Sequence, residues 1–286
     1  MCVPRISSRC SLRCEAFLDS VKVAKGGIGM RIAVCVKQVN LPREGAALNP
    51  ADRFALEEAL RIRDAQGGEV TVVSMGADPA ARVLRSCIAL GADEGLLLSD
   101  KTFAGGDTMA TATVLAQGLM EKIKPLLVIC GSHSVDGETG QVGPALADKL
   151  DYPHTTHVSE ILRLDEQCIR CRRITEDGEE IVELLLPALI TVHHGMNQPR
   201  MATVKGILRA NQSGIRRLNA ADLKLMPGSC GLAGSPTRVT RTVQAVASMH
   251  NPFEVGGDDM EGQIEAVVAL LLRQNQIDER KQPLHS

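Results

Sequence analysis

The sequence predicts an α/β protein: a parallel sheet flanked by helices, with an antiparallel extension and a C-terminal arm. Three observations predict it. From Arg31 to Leu150, short apolar runs alternate with segments of helical period. The turns between them are short, as βα units require. Beyond Tyr152-Pro153 the pattern changes to alternation with period two, which suits antiparallel strands.

Each element has its own signal. Ile32 to Val36 is a short buried strand. Asn49-Pro50 reads as a cap plus first helical residue, opening a helix over 51–66 that Gly67-Gly68 stops. Val70 to Met75 is a second strand, Pro79 to Leu90 a helix closed by Gly91, and Gly95 to Leu98 a third strand. Asp107 caps a helix from Thr108 to about Ile123, and Leu126 to Cys130 is a fourth strand. A helix follows over Ala145 to Leu150. Antiparallel strands are predicted at His157 to Leu164, Cys168 to Ile174 and Ile181 to Leu186, and a buried strand at Ala188 to Val192. Thr203 to Ala210 is a short amphipathic piece. Ser213 to Pro236 is rich in Gly, Ser and Pro and reads as an extended arm. A strand at Thr237 to Val246 and a helix at Glu261 to Leu272 close the chain.

These signals divide the chain into 1–29, 30–212 and 213–286. Residues 1–29 have no sustained period and lack the apolar core of a secretory signal. Lys25-Gly26-Gly27 just before Met30 can be encoded by a ribosome-binding sequence, so Met30 is the expected start. A targeting peptide is the rival reading, interrupted by Glu15 and Asp19.

Composition narrows the function classes. A formal charge of −2 with no long basic run argues against nucleic acid, as does the absence of Trp beside a single Tyr. No apolar run reaches membrane-span length. Nine cysteines, an odd number scattered along the chain, favour reduced thiols and a cytoplasmic setting. Cys168 and Cys171 form a CxxC without a second pair at zinc-ribbon spacing, and residues three apart on a strand face opposite sides. His193 and His194 cannot both face one metal from a regular strand, and no metal site is expected.

The stretch Val135 to Pro144 carries the most chemistry. It lies between a buried strand and a helix, where free backbone N–H groups and the positive dipole end suit phosphates. Thr139 and Gln141 add side-chain donors, and Gly137, Gly140 and Gly143 allow a ligand close to the backbone. An ordinary capped βα turn explains the same residues. Asp107-Thr108 and Thr111 share a face one helical turn apart at another strand end. No G-x-G-x-x-G follows the first strand, no Walker motif occurs, and no catalytic triad stands out.

Taken together, Arg31 to Val39, Asn49-Pro50 with Ala55 to Ala59, Gly91-Ala92-Asp93, and Asn197 to Arg200 with Gly206-Ile207 resemble the beta (small) subunit of an electron transfer flavoprotein. The resemblance runs from Met30 to about Leu272. It implies a fold akin to the adenine-nucleotide alpha hydrolases and pairing with an alpha subunit that carries FAD. It also implies a second adenine nucleotide on this chain: AMP in the respiratory type, FAD in the electron-bifurcating type. Ala104 to Thr111, Asp136 to Pro144 and Cys230 to Thr237 resemble motifs of the bifurcating type, in which the flavin takes hydride from NADH.

On that resemblance Cys35, Asn49 and Met75 line the adenosine pocket. Asp107, Thr108, Thr111, Asp136, Gly137, Thr139, Gly140, Gln141, Val142 and Gly143 hold ribose, diphosphate or ribityl groups. Val204 in the piece from Thr203 to Leu208 docks on a flavin-dependent dehydrogenase of acyl-CoA type, and the low-potential acceptor is a ferredoxin or flavodoxin. The segment after Ser213 embraces the alpha subunit. The chain is then an electron-carrier subunit with no catalytic side chain of its own. A respiratory-type subunit with AMP and a non-redox nucleotide-binding regulator are the alternatives.

Overall fold

A computed structural model describes residues 30–41, 45–241 and 259–279, so the readings made for residues 1–29 lie outside the described residues. The chain divides between Arg238 and Val239 into two compact units.

In the first unit a nine-stranded sheet runs β11-β5-β4-β1-β6-β10-β7-β8-β9. Its central strands are β1 (Arg31–Cys35), β4 (Glu69–Met75), β5 (Glu94–Leu98), β6 (Leu127–Gly131) and β10 (Ala188–Val192). These, with β11 (Arg216–Leu218) and β7 (His154–Leu164), pair in parallel with one another. The strands β8 (Cys168–Thr175) and β9 (Gly178–Leu185) extend the sheet antiparallel from β7. The fold class read from the sequence is the one observed.

Apolar alternation along each central strand loads both faces. On one side Ile32, Val34, Val72 and Ile129 pack under α1 (Pro50–Gln66) and α2 (Ala80–Leu90). On the other Ala33, Val73, Val128 and Leu189 meet α3 (Thr108–Lys122) and α4 (Val142–Leu150). Burial on both faces is why these strands read as continuous apolar runs rather than alternating ones. Tyr152, the one tyrosine, is buried just past α4 and donates its hydroxyl to Pro125 O at 2.9 Å.

Connectivity sets where chemistry belongs. The chain goes from β1 outward through β4 to β5, then returns to place β6 on the other flank of β1. That reversal leaves a crevice beyond the C-terminal ends of β1 and β6, where open α/β sheets bind ligands.

Several sequence expectations need correction. Ser213 to Pro236 is not an extended arm: it supplies the edge strand β11, parallel to β5, and buries Leu218, Leu223 and Cys230. Residues 213–238 therefore belong to the first unit. No strand forms over 237–241, and 242–246 lie outside the described residues. An antiparallel pair, β2 (Gln38–Leu41) with β3 (Gly45–Leu48), had no sequence signal. The amphipathic piece is a helix, α5 (Val204–Gln212), capped by Thr203 Oγ1, which accepts from Gly206 N. In the second unit α6 (Met260–Glu279) is longer than expected and exposes Met260, Ile264, Val267 and Val268.

Candidate functional site

A cleft of about 440 Å³ opens in the predicted crevice. Its floor is the ends of β1, β4 and β6, through Cys35, Met75 and Cys130. Its walls are the loop from Gly131 to Gly143 and the start of α3. The volume lies within the roughly 300–1,000 Å³ typical of small-molecule sites. Cys35, Asn49, Met75, Asp107, Thr108, Thr111, Gly137, Thr139, Gly140, Val142 and Gly143 all line it; Asp136 and Gln141 do not.

Besides α1, whose Asn49 and Asp52 line the cleft, two helix N-termini meet it, and they differ. At α3, Asp107 Oδ1 accepts from the N–H groups of Met109 and Ala110, each at 3.0 Å. Its Oδ2 accepts from Thr237 N at 3.0 Å and Thr237 Oγ1 at 2.8 Å. A carboxylate has about four acceptor positions, and all are used. Asp107 therefore organises the wall and has no capacity left for a ribose hydroxyl. The Ala110 N–H foremost, with Thr237, holds its carboxyl below the ordinary carboxylate range against a smaller opposing effect of desolvation.

At α4 there is no such anion. Gln141 occupies the cap position without a side-chain bond, so it frames the turn and leaves the first-turn N–H groups of Val142 and Gly143 uncapped by any side chain. Pro144 has no N–H to satisfy. Thr139 Oγ1 lies beside this terminus and accepts from Thr108 Oγ1 at 3.4 Å, joining the two walls. An anion is disfavoured by Asp107 at α3 and favoured at α4, so of these two termini α4 is the one suited to a phosphate.

Glycine is needed here for two different reasons, shown by Gly140 and Gly131. Gly140 has φ +61, which a side chain adopts only with strain. A Cβ on Gly131 would overlap Asp52 Oδ1 and press on the Ala51 backbone. Gly137 has no positive φ and space for a Cβ, 3.6 Å from Ser134 Oγ, so the close-approach argument does not require glycine there.

The glycine loop is pinned from β1 and α1. Asn49 was expected to cap α1, but its side chain makes no capping bond. Instead Asn49 Nδ2 donates to His133 O at 2.9 Å and Asp52 Oδ1 at 3.0 Å, while its Oδ1 accepts from Val135 N at 3.2 Å. Asp136, beside the cleft rather than in its lining, accepts from Lys37 Nζ at 2.7 Å and from Gly137 N at 2.8 Å. Burial alone would raise its carboxyl, but Lys37 and Ser134 outweigh that and hold it low.

Asp52, Lys37, Ser132, His133, Ser134 and Thr237 also line the cleft and were not singled out from the sequence. Asp52 had a signal: a charge one turn before Ala55 and Leu56 on the buried stripe of α1. Its Oδ2 accepts from Lys37 N at 2.7 Å. Burial pushes its carboxyl up to about 7, against the donors from Asn49, Lys37 and Gly131. Thr237 had only the resemblance of Cys230 to Thr237 to a family motif, and no local pattern ties it to Asp107, 130 residues away. The floor thiols Cys35 and Cys130 are in register across β1 and β6. The Cys35 side chain and burial push the Cys130 thiol well up, so it is not poised as a thiolate. Three further histidines do not line the cleft: His193 faces His157, with ring centroids 6.2 Å apart, and His194 packs on Phe54. Among the described residues no group of side chains could hold a metal ion.

Val204 is exposed, with 76% of its surface accessible at the first turn of α5, and Met201, Ile207 and Leu208 beside it are exposed too. A brace holds this region: Arg200 Nε and Nη2 donate to the buried Glu57 carboxylate at 2.9 and 3.1 Å, and Asn197 Nδ2 donates to Glu58 at 3.0 Å.

The fold and the uncapped α4 terminus define a parallel α/β protein with a phosphate-compatible cleft at its switch point. Comparison with known proteins gives the family. The electron transfer flavoprotein domain matches residues 38–223. The chain is 41% identical over 263 residues to the electron transfer flavoprotein subunit beta of Thermoanaerobacterium thermosaccharolyticum, covering 86% of this chain and 98% of that one. It is 41% identical over 249 residues to the caffeyl-CoA reductase-Etf complex subunit CarD of Acetobacterium woodii, covering 82% and 92%. It is 39% identical over 235 residues to the protein FixA of Sinorhizobium fredii, covering 74% and 82%. The chain belongs to the electron transfer flavoprotein family, among its beta subunits, and its role is electron transfer.

Proposed function

We propose that this chain is the beta subunit of a heterodimeric electron transfer flavoprotein and that its cleft holds FAD. One observation carries the reading. The runs from Ala104 to Thr111 and from Asp136 to Pro144, which resemble flavin-site motifs, face each other across the cleft at Thr108 and Thr139. The uncapped N–H groups of Val142 and Gly143 suit a diphosphate, and Thr108, Thr111 and Thr139 supply hydroxyls beside it. Cys35, Met75 and Leu115 give an apolar floor for a base. Bound there, the flavin supplies hydride acceptance from NADH and onward transfer of the electrons. The chain's own residues bind and orient it: Asn49 and Lys37 fix the glycine loop, and Asp107 fixes α3.

AMP in the same cleft, as a structural ligand, is the second reading, since the phosphate position at α4 serves either nucleotide. Mass analysis of the ligand released on denaturation separates them. FAD is expected; AMP makes the chain a respiratory-type subunit, and no adenine nucleotide at all overturns the site. Thr139→Ala is expected to weaken FAD binding by about 1–3 kcal/mol, the usual loss for one partner of a charge-assisted bond. Equilibrium titration of the variant against wild type checks it.

The exposed stripe of α6 at helical spacing supports an alpha subunit as partner, with which the chain forms the heterodimer. Val204 is the docking residue for a flavin-dependent dehydrogenase, and the relative in a caffeyl-CoA reductase-Etf complex supports one acting on acyl-CoA substrates. A ferredoxin or flavodoxin takes the low-potential electrons, in the cytoplasm. Val204→Asp is expected to cost on the order of a few kcal/mol of dehydrogenase binding, because the charge enters an apolar pocket unpaired. NADH reduction of the bound flavin should be unchanged in a rapid-mixing experiment; loss of both would mean that α5 is not a separate docking element.

A further inference from the structure

We propose that Cys230 to Thr237 form a latch over the nucleotide cleft, in which Thr237 is a positioning residue that holds Asp107 and retains the ligand. The proposal rests on the nucleotide reading of the cleft. The segment is seated on the loop before α3 by bonds that share one target. Leu232 N donates to Ala104 O at 3.1 Å. Ser235 Oγ accepts from Asp107 N at 2.9 Å and donates to Gly231 O at 2.7 Å. Thr237 then closes on the Asp107 carboxylate through both its N–H and its hydroxyl.

The seat is shaped for this segment. Gly231 has φ +57, and any Cβ there would strike Thr102 O. Cys230 is buried beneath it as the anchor. Beyond the anchor the hold weakens, since Leu232, Pro236 and Thr237 are exposed. Exposed hydrogen bonds of this kind open locally without unfolding the sheet. The latch can therefore release while Cys230 stays in place.

Thr237 also lines the cleft beside Thr108 and Thr111, the hydroxyls of the helix turn that Asp107 caps. A ligand resting on that turn is contacted by a wall that exists only when the latch is closed. Linkage then works both ways: closure slows ligand release, and the ligand keeps the latch shut.

Arg238 follows Thr237 directly and is exposed, so trypsin cleavage after Arg238 reports the open state. The full chain, co-expressed with its alpha subunit, is compared with and without saturating FAD, and separately with AMP. Bound nucleotide is expected to slow this cleavage about tenfold, the equivalent of one hydrogen bond. Thr237→Val, which keeps the side-chain shape, should abolish the protection and speed nucleotide release by about the same factor. Thr237→Ser should restore both, and Ser235→Ala should give a smaller loss without disturbing the Thr237 hydroxyl. A purely structural Thr237 would leave the ligand dependence of cleavage intact. Binding without protection, or equal release rates in Thr237→Val and wild type, overturns the latch alone. Failure of wild type to bind either nucleotide overturns the cleft reading and the latch with it.

Discussion

Gly131→Ala is expected to lower the melting temperature by about 6–12 °C and, if the cleft holds a nucleotide as proposed, to strip it from the chain. The position closes β6 directly beneath α1. A Cβ there overlaps Asp52 Oδ1 and lies 2.9 Å from the Ala51 carbonyl carbon and 3.0 Å from Ala51 Cβ. The carboxylate is held by Asn49 and Lys37, and helix backbone cannot rotate aside, so α1 must move as a unit. Overpacking of a buried contact costs roughly 1–3 kcal/mol, and the upper end applies because no flexible side chain can absorb it. For a chain of this size about 3 kcal/mol corresponds to that shift in melting temperature. Moving α1 also drags Asn49 off His133 and Val135, which releases the glycine loop from the cleft. Calorimetry and bound-nucleotide content measure the two effects. Gly137→Ala is the control: with room for its Cβ it should leave the melting temperature within about 0.5 kcal/mol equivalent. Equal melting of Gly131→Ala and wild type would mean that α1 and β6 are not packed as described.

Asp52 gives the second large effect, in pH. Burial raises its carboxyl from 3.8 to about 7 in the folded chain. The folded state therefore holds the proton more tightly than the unfolded state. This stabilisation is complete below about pH 4 and is lost as pH rises towards and through 7. The difference amounts to roughly 4 kcal/mol between the two ends of that window. Asp52→Asn cannot ionise and should lose this slope. Its amide also faces donors from Asn49, Lys37 and Gly131, of which its single oxygen satisfies only part. The variant is thus expected to be less stable than wild type at pH 5, with the gap closing or reversing by pH 8. Denaturant unfolding across that range checks it. Parallel curves for the two proteins would show that Asp52 does not titrate in the window.

The contrast between Asp52 and Thr237 shows what a sequence makes legible. The parallel sheet was readable because β1, β4, β5, β6 and β10 are buried on both faces and their helices carry local periodicity. The glycine loop from Asp136 to Gly143 was readable because strand, turn and helix follow one another within one short stretch. Pairings between distant segments were not. β11 is three residues long and takes its identity from β5, more than a hundred residues earlier, so it has no period of its own. Gln38 to Leu41 and Gly45 to Leu48 are too short and too mixed to announce the β2–β3 pair. Asp107 was legible as a cap, yet that it is saturated by Thr237 depends on a contact no local pattern encodes. Asn49 was placed correctly at the head of α1, but its amide makes no capping bond and instead ties Asp52 to the loop opposite.

Tyr152 also determines how this protein is seen by light. With no tryptophan and one tyrosine in 286 residues, the polypeptide contributes very little absorbance of its own in the near ultraviolet. On the proposed reading, an adenine ring in the cleft would therefore dominate the near-ultraviolet spectrum of the purified subunit, and its absorbance relative to that of the peptide bonds would read occupancy. Tyr152 itself is fixed between the end of α4 and Pro125 at the approach to β6. Its near-ultraviolet circular dichroism is thus a single-residue signal of fixed packing at the seam between α4 and the sheet. Unfolding followed in the near ultraviolet reports the face that carries α4, while far-ultraviolet ellipticity reports the whole sheet and its helices.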